Sequence, residues 1–235
     1  MTRNNHPKAR VAGVDGCRAG WIAFHVDPCT RETKTEVVDL RSLLYSRLDD
    51  VAILAIDMPI GLLDCPRPCD CAARKVLGSP RCSSVFAAPC RAALAATSHA
   101  KASAMNRITT GKGLSIQAWA IAPKIKEIDD LLQPQQQSWV YEVHPEVSFW
   151  RMNGQEPMTH SKSRLPGREE RSAILRREFP NIERHLECRP IGVGADDLLD
   201  AAAAAWSALR LWEGKAESVS TPSQDARGLR VAIHY

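Results

Sequence analysis

The sequence predicts an α/β protein built on a mixed sheet: three strands, a helix, and a fourth strand parallel to the first. Three observations predict it. Short segments rich in β-branched residues, with turns between them, occupy residues 10–40. The segment "RSLLYSRL" then places leucines at helical spacing, and a wholly apolar run, "VAILAI", follows it. A continuous apolar run of that length reads as a central strand covered on both faces. A strand–helix–strand crossover favours parallel pairing, so the first and fourth strands are expected to end at one edge of the sheet.

Each element has its own signal. Residues 10–15 read as the first strand and residues 21–26 as its hairpin partner, across a turn at 16–20 whose Gly16 and Gly20 are expected to keep side chains clear of a ligand. Residues 33–40 alternate as a third strand. Residues 41–48 place Leu43, Leu44, Arg47 and Leu48 on a helix. The run 51–56 ends in Asp57 and is stopped by Pro59. From about 62 to 135 the composition turns to Cys, Arg and Ala with helical character, a helical insertion after strand four. It includes helices in "RAALAATSHAKASAM" and "SIQAWAIAPKIKEIDDLL", the second interrupted at Pro123. "SWVYEVHPEVSF" reads as a strand through about Val143, ended by Pro145. "SKSRLPGREERSAILRREF" passes from a turn into a helix, and "DDLLDAAAAAWSALRLWEG" is a long helix stopped by Gly214. "LRVAIHY" is a candidate edge strand. No repeat or long linker divides the chain, so residues 1–235 are expected to form one domain.

Bulk properties narrow the class. The 235 residues are 44% hydrophobic and 25% charged, with mean hydropathy −0.26, the range of ordinary globular proteins. No apolar stretch is long enough for a membrane helix. The polar, basic start "MTRNNHPKAR" lacks a secretory core, so a cytoplasmic location is expected. A net charge of +4 is compatible with a polyanionic partner. The eight cysteines read as reduced thiols or metal ligands. Cys65, Cys69, Cys71, Cys82 and Cys90 could hold zinc, but they lack two Cys-x-x-Cys knuckles, so a structural zinc is disfavoured.

Carboxylates recur at element ends: Asp15, Asp57, Glu142 or Glu146, and the group Asp196, Asp197 and Asp200. The spacing of Asp197 and Asp200 puts both on one helix face. Carboxylates converging from several elements suit Mg²⁺ or Mn²⁺, which prefer oxygen ligands, and a pair of such ions can serve phosphodiester displacement. Cations that could meet phosphates cluster at Lys162, Arg164, Arg168, Arg171, Arg176 and Arg177, and around Arg67, Arg74, Lys75, Arg81 and Arg91. Arg18 lies in the first turn, and "SSVF" at Ser83 to Phe86 offers hydroxyls to an anion.

The blocks "GVDGCRAGW", "AIDMPIGL", "CDCAARKVLGSPRCSSVFAAPCRAAL", "GLSIQAWAIAPKIKEID", "YEVHPEVSF" and "ADDLLDAAAAAWSA" resemble the domain of unknown function 429 (DUF429) family, whose members are regarded as predicted nucleases of the RNase H-like fold. The resemblance implies that fold, with strands one to three antiparallel and strand four parallel to strand one. It implies catalytic roles for Asp15, Asp57 and Asp197, with Asp200 close behind as a metal ligand and Glu142 as a fourth. Lys124 falls in a family block and is expected to face the site, and His144 to orient a water or a phosphate. The expected function is therefore a nuclease using Mg²⁺ or Mn²⁺, with two ions held by carboxylates. Substrate contacts are expected from Arg18, Lys124, His144, Lys162, Arg168 and Arg171. The alternatives are a non-catalytic nucleic-acid-binding module and a small-molecule phosphoesterase. DNA and RNA are equally compatible, and a homodimer is allowed.

Overall fold

The computed structural model describes residues 10–45 and 51–235. Its centre is a five-stranded sheet of order β3-β2-β1-β4-β5, formed by β1 (Arg10–Cys17), β2 (Gly20–Val26), β3 (Thr33–Val38), β4 (Val51–Ile56) and β5 (Val140–Glu142). Strands β1 to β3 pair antiparallel, whereas β1, β4 and β5 run parallel. These are the strand order and directions of an RNase H-like α/β fold. Helix α1 (Leu40–Tyr45) bridges β3 and β4. Arg47 and Leu48, placed on that helix by their spacing, lie outside the described residues.

Parity assigns each strand residue to a face, because successive side chains alternate across a strand. On β1, Ala12 and Val14 join Leu54 and Ile56 of β4 in a core covered by α1 and by α4 (Ile116–Leu131). Val11 and Ala55 belong to the opposite core, covered by α8 (Ala195–Trp212). Both faces of the central strands are thus buried, which explains why β4 is apolar throughout. The alanine run of α8 brings its backbone directly onto β1. A methyl group on Gly13 would lie 2.0 Å from the backbone nitrogen of Ala205 and 2.2 Å from the Ala201 oxygen.

Between β4 and β5 lie α2 (Pro68–Arg81), α3 (His99–Thr110) and α4. The structure sharpens the expected boundaries here. "RAALAATSHAKASAM" is a short 3₁₀ turn and then α3, because Ser98 accepts from the Lys101 N–H and restarts the chain as a helix cap. Helix α4 runs through Pro123 without a break and is capped by Ser115. After β5 come α5 (Pro145–Met152), α6 (Leu165–Leu175) and α7 (Ile182–Glu187). Pro145 starts a helix as well as ending a strand, in keeping with its preference for a first helical turn. Beyond α8, β6 (Ser223–Gln224) and β7 (Arg230–Val231) form a small antiparallel ribbon, and His234 bridges to Val143 beside β5. Among the described residues, no helix is long and apolar enough to cross a membrane.

Candidate metal and catalytic site

Strand β1 outruns its neighbour. Its pairing with β4 ends at Val14 and Ile56, while its hairpin with β2 continues to Cys17 and Gly20. Asp15 therefore lies inside the strand, not at its tip, and the turn is only Arg18 and Ala19. Asp57 continues the ladder through its own N–H, donated to the Val14 oxygen at 2.9 Å. Both aspartates have the parity of the residues that face α8. There Asp200, 1% exposed, completes a group in which one carboxylate oxygen from each of Asp15, Asp57 and Asp200 lies within 4.8 Å of the others.

Burial governs the electrostatics of this trio. It raises the Asp15 carboxyl well above the ordinary range, with the Asp57 charge adding to the effect. Burial acts likewise on Asp57, followed by repulsion from Asp200. Asp200 is pushed up to about 6 by burial, against the lowering pull of Lys162. The Lys162 ammonium binds Asp200 directly. Burial alone would lower its pKa, but Asp200, Asp57 and Asp15 hold it above its usual value. One ammonium among three carboxylates leaves two negative charges to be matched when all three ionise. The Oδ1 of Asp200 is buried and has no hydrogen-bond partner. Hard oxygen donors, uncompensated negative charge and an unpartnered buried oxygen together fit a divalent cation.

Asp15 and Asp57 line a groove of about 880 Å³ that also takes in Arg18, Lys124, His144, Lys162, Glu146 and Asp197, with Asp200 buried beside them. Asp197 does not join the trio. Its Oδ2 accepts the Gly194 N–H at 2.9 Å, so it caps α8 from the third helical position. Glu142 is also kept apart: it shares the parity of Val140 and lies beside Ile56, on the sheet face away from α8. There it accepts the Ile60 N–H at 2.7 Å and pairs with Arg67. Arg67 also pairs with Asp70 at 3.2 Å, so this second acidic group already holds a buried cation. Glu146, the alternative at that point of the chain, is the carboxylate that borders the groove. It is 3% exposed, and its Oε2 has no partner.

The expected substrate contacts divide. Arg18 is exposed at the hairpin turn, and Lys162 and His144 face the groove. Lys124 crosses the hairpin, donating to the Gly20 oxygen and lying 4.3 Å from the centre of the Trp21 ring. Its aliphatic chain fills the space left by the missing side chain of Gly16. That glycine thus makes room for Lys124, whereas the sequence suggested room for a ligand. Arg171 is fully buried. It binds Glu146 Oε1 at 2.6 Å, and its Nη1 donates to the oxygens of His160 and Gly167, so it anchors the loop carrying Lys162 and cannot touch substrate. Arg168 donates to the Ser163 oxygen and borders a separate cavity of about 460 Å³ near α6, α7 and α8. All eight cysteines are free, and Cys65, Cys71, Cys82 and Cys90 enter no ligand group among the described residues.

No curated protein matches the chain, and no solved structure does. Residues 13–225 match the family described as protein of unknown function (DUF429), and the chain belongs to that family.

Proposed function

We propose that the protein is a hydrolase of phosphodiester bonds in nucleic acid, dependent on Mg²⁺ or Mn²⁺. The observation that carries this reading is the trio Asp15, Asp57 and Asp200, brought together by β1, the end of β4 and α8, with Asp15 and Asp57 opening onto one groove bordered by cations. A divalent ion bound there, or a pair with Glu146 as a further ligand, would supply positive charge to the oxygens between which the phosphoryl group is transferred. The chain's own groups orient the rest. Asp15 is fixed by the Gly16 N–H donated to its Oδ1 at 2.6 Å. Burial holds the His144 pKa below its usual value and so keeps the imidazole neutral. The ring directs Nε2 at the Ser84 oxygen, which can only accept. Nδ1 is then a buried acceptor without a partner, able to orient a water by accepting a hydrogen bond from it. Lys162 offers its remaining N–H groups to a phosphoryl oxygen. A cytoplasmic location belongs to this reading, in keeping with the free cysteines.

The test is cleavage of labelled duplex, single strand, RNA–DNA hybrid and four-way junction in Mg²⁺ or Mn²⁺. Wild type should cut at least one substrate, and Asp57→Asn should lower the rate by at least about 10³-fold with the fold intact. Salt-sensitive binding without cutting, surviving both metal removal and Asp57→Asn, would instead identify a non-catalytic binding module.

A further inference from the structure

Charge is segregated along this chain. Residues 71–126 hold nine Lys and Arg and no Asp or Glu, so the rest, with 22 basic and 27 acidic residues, carries a net charge of −5 although the whole is +4. Two of the nine are neutralised at home: Arg91 by Asp129 and Asp225, and Lys126 by Asp130. The other seven form no ion pair among the described residues. This segment builds one wall of the groove over the acidic floor, through Arg81, Ser83, Ser84 and Phe86 near the end of α2 and through Gln117 and Lys124 of α4. The Nε of Arg81 is buried without a partner. Phe86 stands on the same wall with 37% of its surface exposed, apolar area that the fold leaves uncovered.

We propose that this wall grips single-stranded nucleic acid, with Arg81 on the backbone phosphates and Phe86 as the platform on which an unpaired base stacks. The proposal rests on the phosphodiester reading of the trio and specifies its substrate. Cationic grooves that pair phosphate contacts with an aromatic platform are how single strands are held without sequence preference. The floor supports the choice of a single strand. Asp15 and Asp200 are 8% and 1% exposed, recessed between this wall and the loop of Lys162, so the scissile backbone has to enter the groove. A duplex carries its phosphates on a stiff stacked cylinder and presents no free base face to Phe86.

The experiment is fluorescence anisotropy of a labelled 12-nucleotide single strand and its duplex, in EDTA, across a salt series. Binding without metal separates this proposal from the cleavage reading, since the strand can be gripped whether or not it is cut. The single strand should bind at least tenfold tighter than the duplex. Phe86→Ala and Phe86→Leu should each weaken single-strand binding about tenfold, and Phe86→Tyr should restore it. Arg81→Gln should lower the slope of log affinity against log salt by about 0.7, the loss of one phosphate contact. Equal or tighter duplex binding, or single-strand affinity indifferent to Phe86→Leu and Arg81→Gln in folded variants, would overturn the proposal.

Discussion

At the scale of the residue, the informative contrast is between Arg171 and Arg168. Sequence presents both as members of one basic cluster, and neither its composition nor its spacing says which is inside. The structure buries Arg171 completely against Glu146, with two backbone oxygens taking its other protons. Removing one partner of such a pair strands a buried charge, so Arg171→Met should cost about 3–5 kcal/mol in denaturant unfolding. Arg168→Ala should stay within about 0.5 kcal/mol, the usual range for a surface change. Similar losses for the two would mean that Arg171 is not the anchor of the Lys162 loop. Asp197 and Asp200 teach the same lesson on a helix. Three residues put them on neighbouring positions, but only the placement of α8 over β1 decides that Asp197 faces its own N-terminus and Asp200 the trio.

At the scale of the element, what was legible was what periodicity controls. The apolar runs of β1 and β4 announce strands covered on both faces, and their parallel pairing brings Asp15 and Asp57 to one edge of the sheet; the face each takes was not legible, because neither strand alternates. Strand β5 has only three residues, too few for alternation to declare a face, which is why Glu142 and Glu146 could not be separated until the fold was known. The contact of α8 with β1 was legible only in part: the alanine run signals a close approach, but not that Gly13 is the point of contact. Gly13→Ala would drive a methyl group into the helix backbone, which cannot move as a side-chain end can. It should destabilise by about 1–3 kcal/mol or more, and bulkier substitutions further. Wild-type stability in a folded Gly13→Ala variant would show that α8 does not rest on β1 as described.

At the scale of the whole molecule, the fold holds three carboxylates in a buried site with one ammonium. Their raised pKa values set the sign of a pH dependence. Asp200 titrates at about 6 in the folded chain, and Asp15 and Asp57 lie well above the ordinary value. In the unfolded chain such groups titrate near 4. Below that pH both states are protonated and the full contribution to stability is present. The Asp200 part of it is lost as pH rises through about 6, because the folded state then has to ionise a buried group. A divalent ion binds the ionised form and reverses the loss. The rise in Tm on adding Mn²⁺ should therefore be several degrees at pH 7.5 and shrink toward zero at pH 5. A rise as large at pH 5 would place the ion elsewhere.

The most direct test of the central claim, that Asp15, Asp57 and Asp200 form one cation site, is calorimetric titration of the ion-free protein with Mn²⁺ at pH 7.5. Wild type should bind saturably, and Asp15→Asn and Asp200→Asn should each weaken binding by at least tenfold while Glu142→Gln, if folded, leaves it unchanged. No binding by wild type, or binding that survives both aspartate substitutions, would contradict the account.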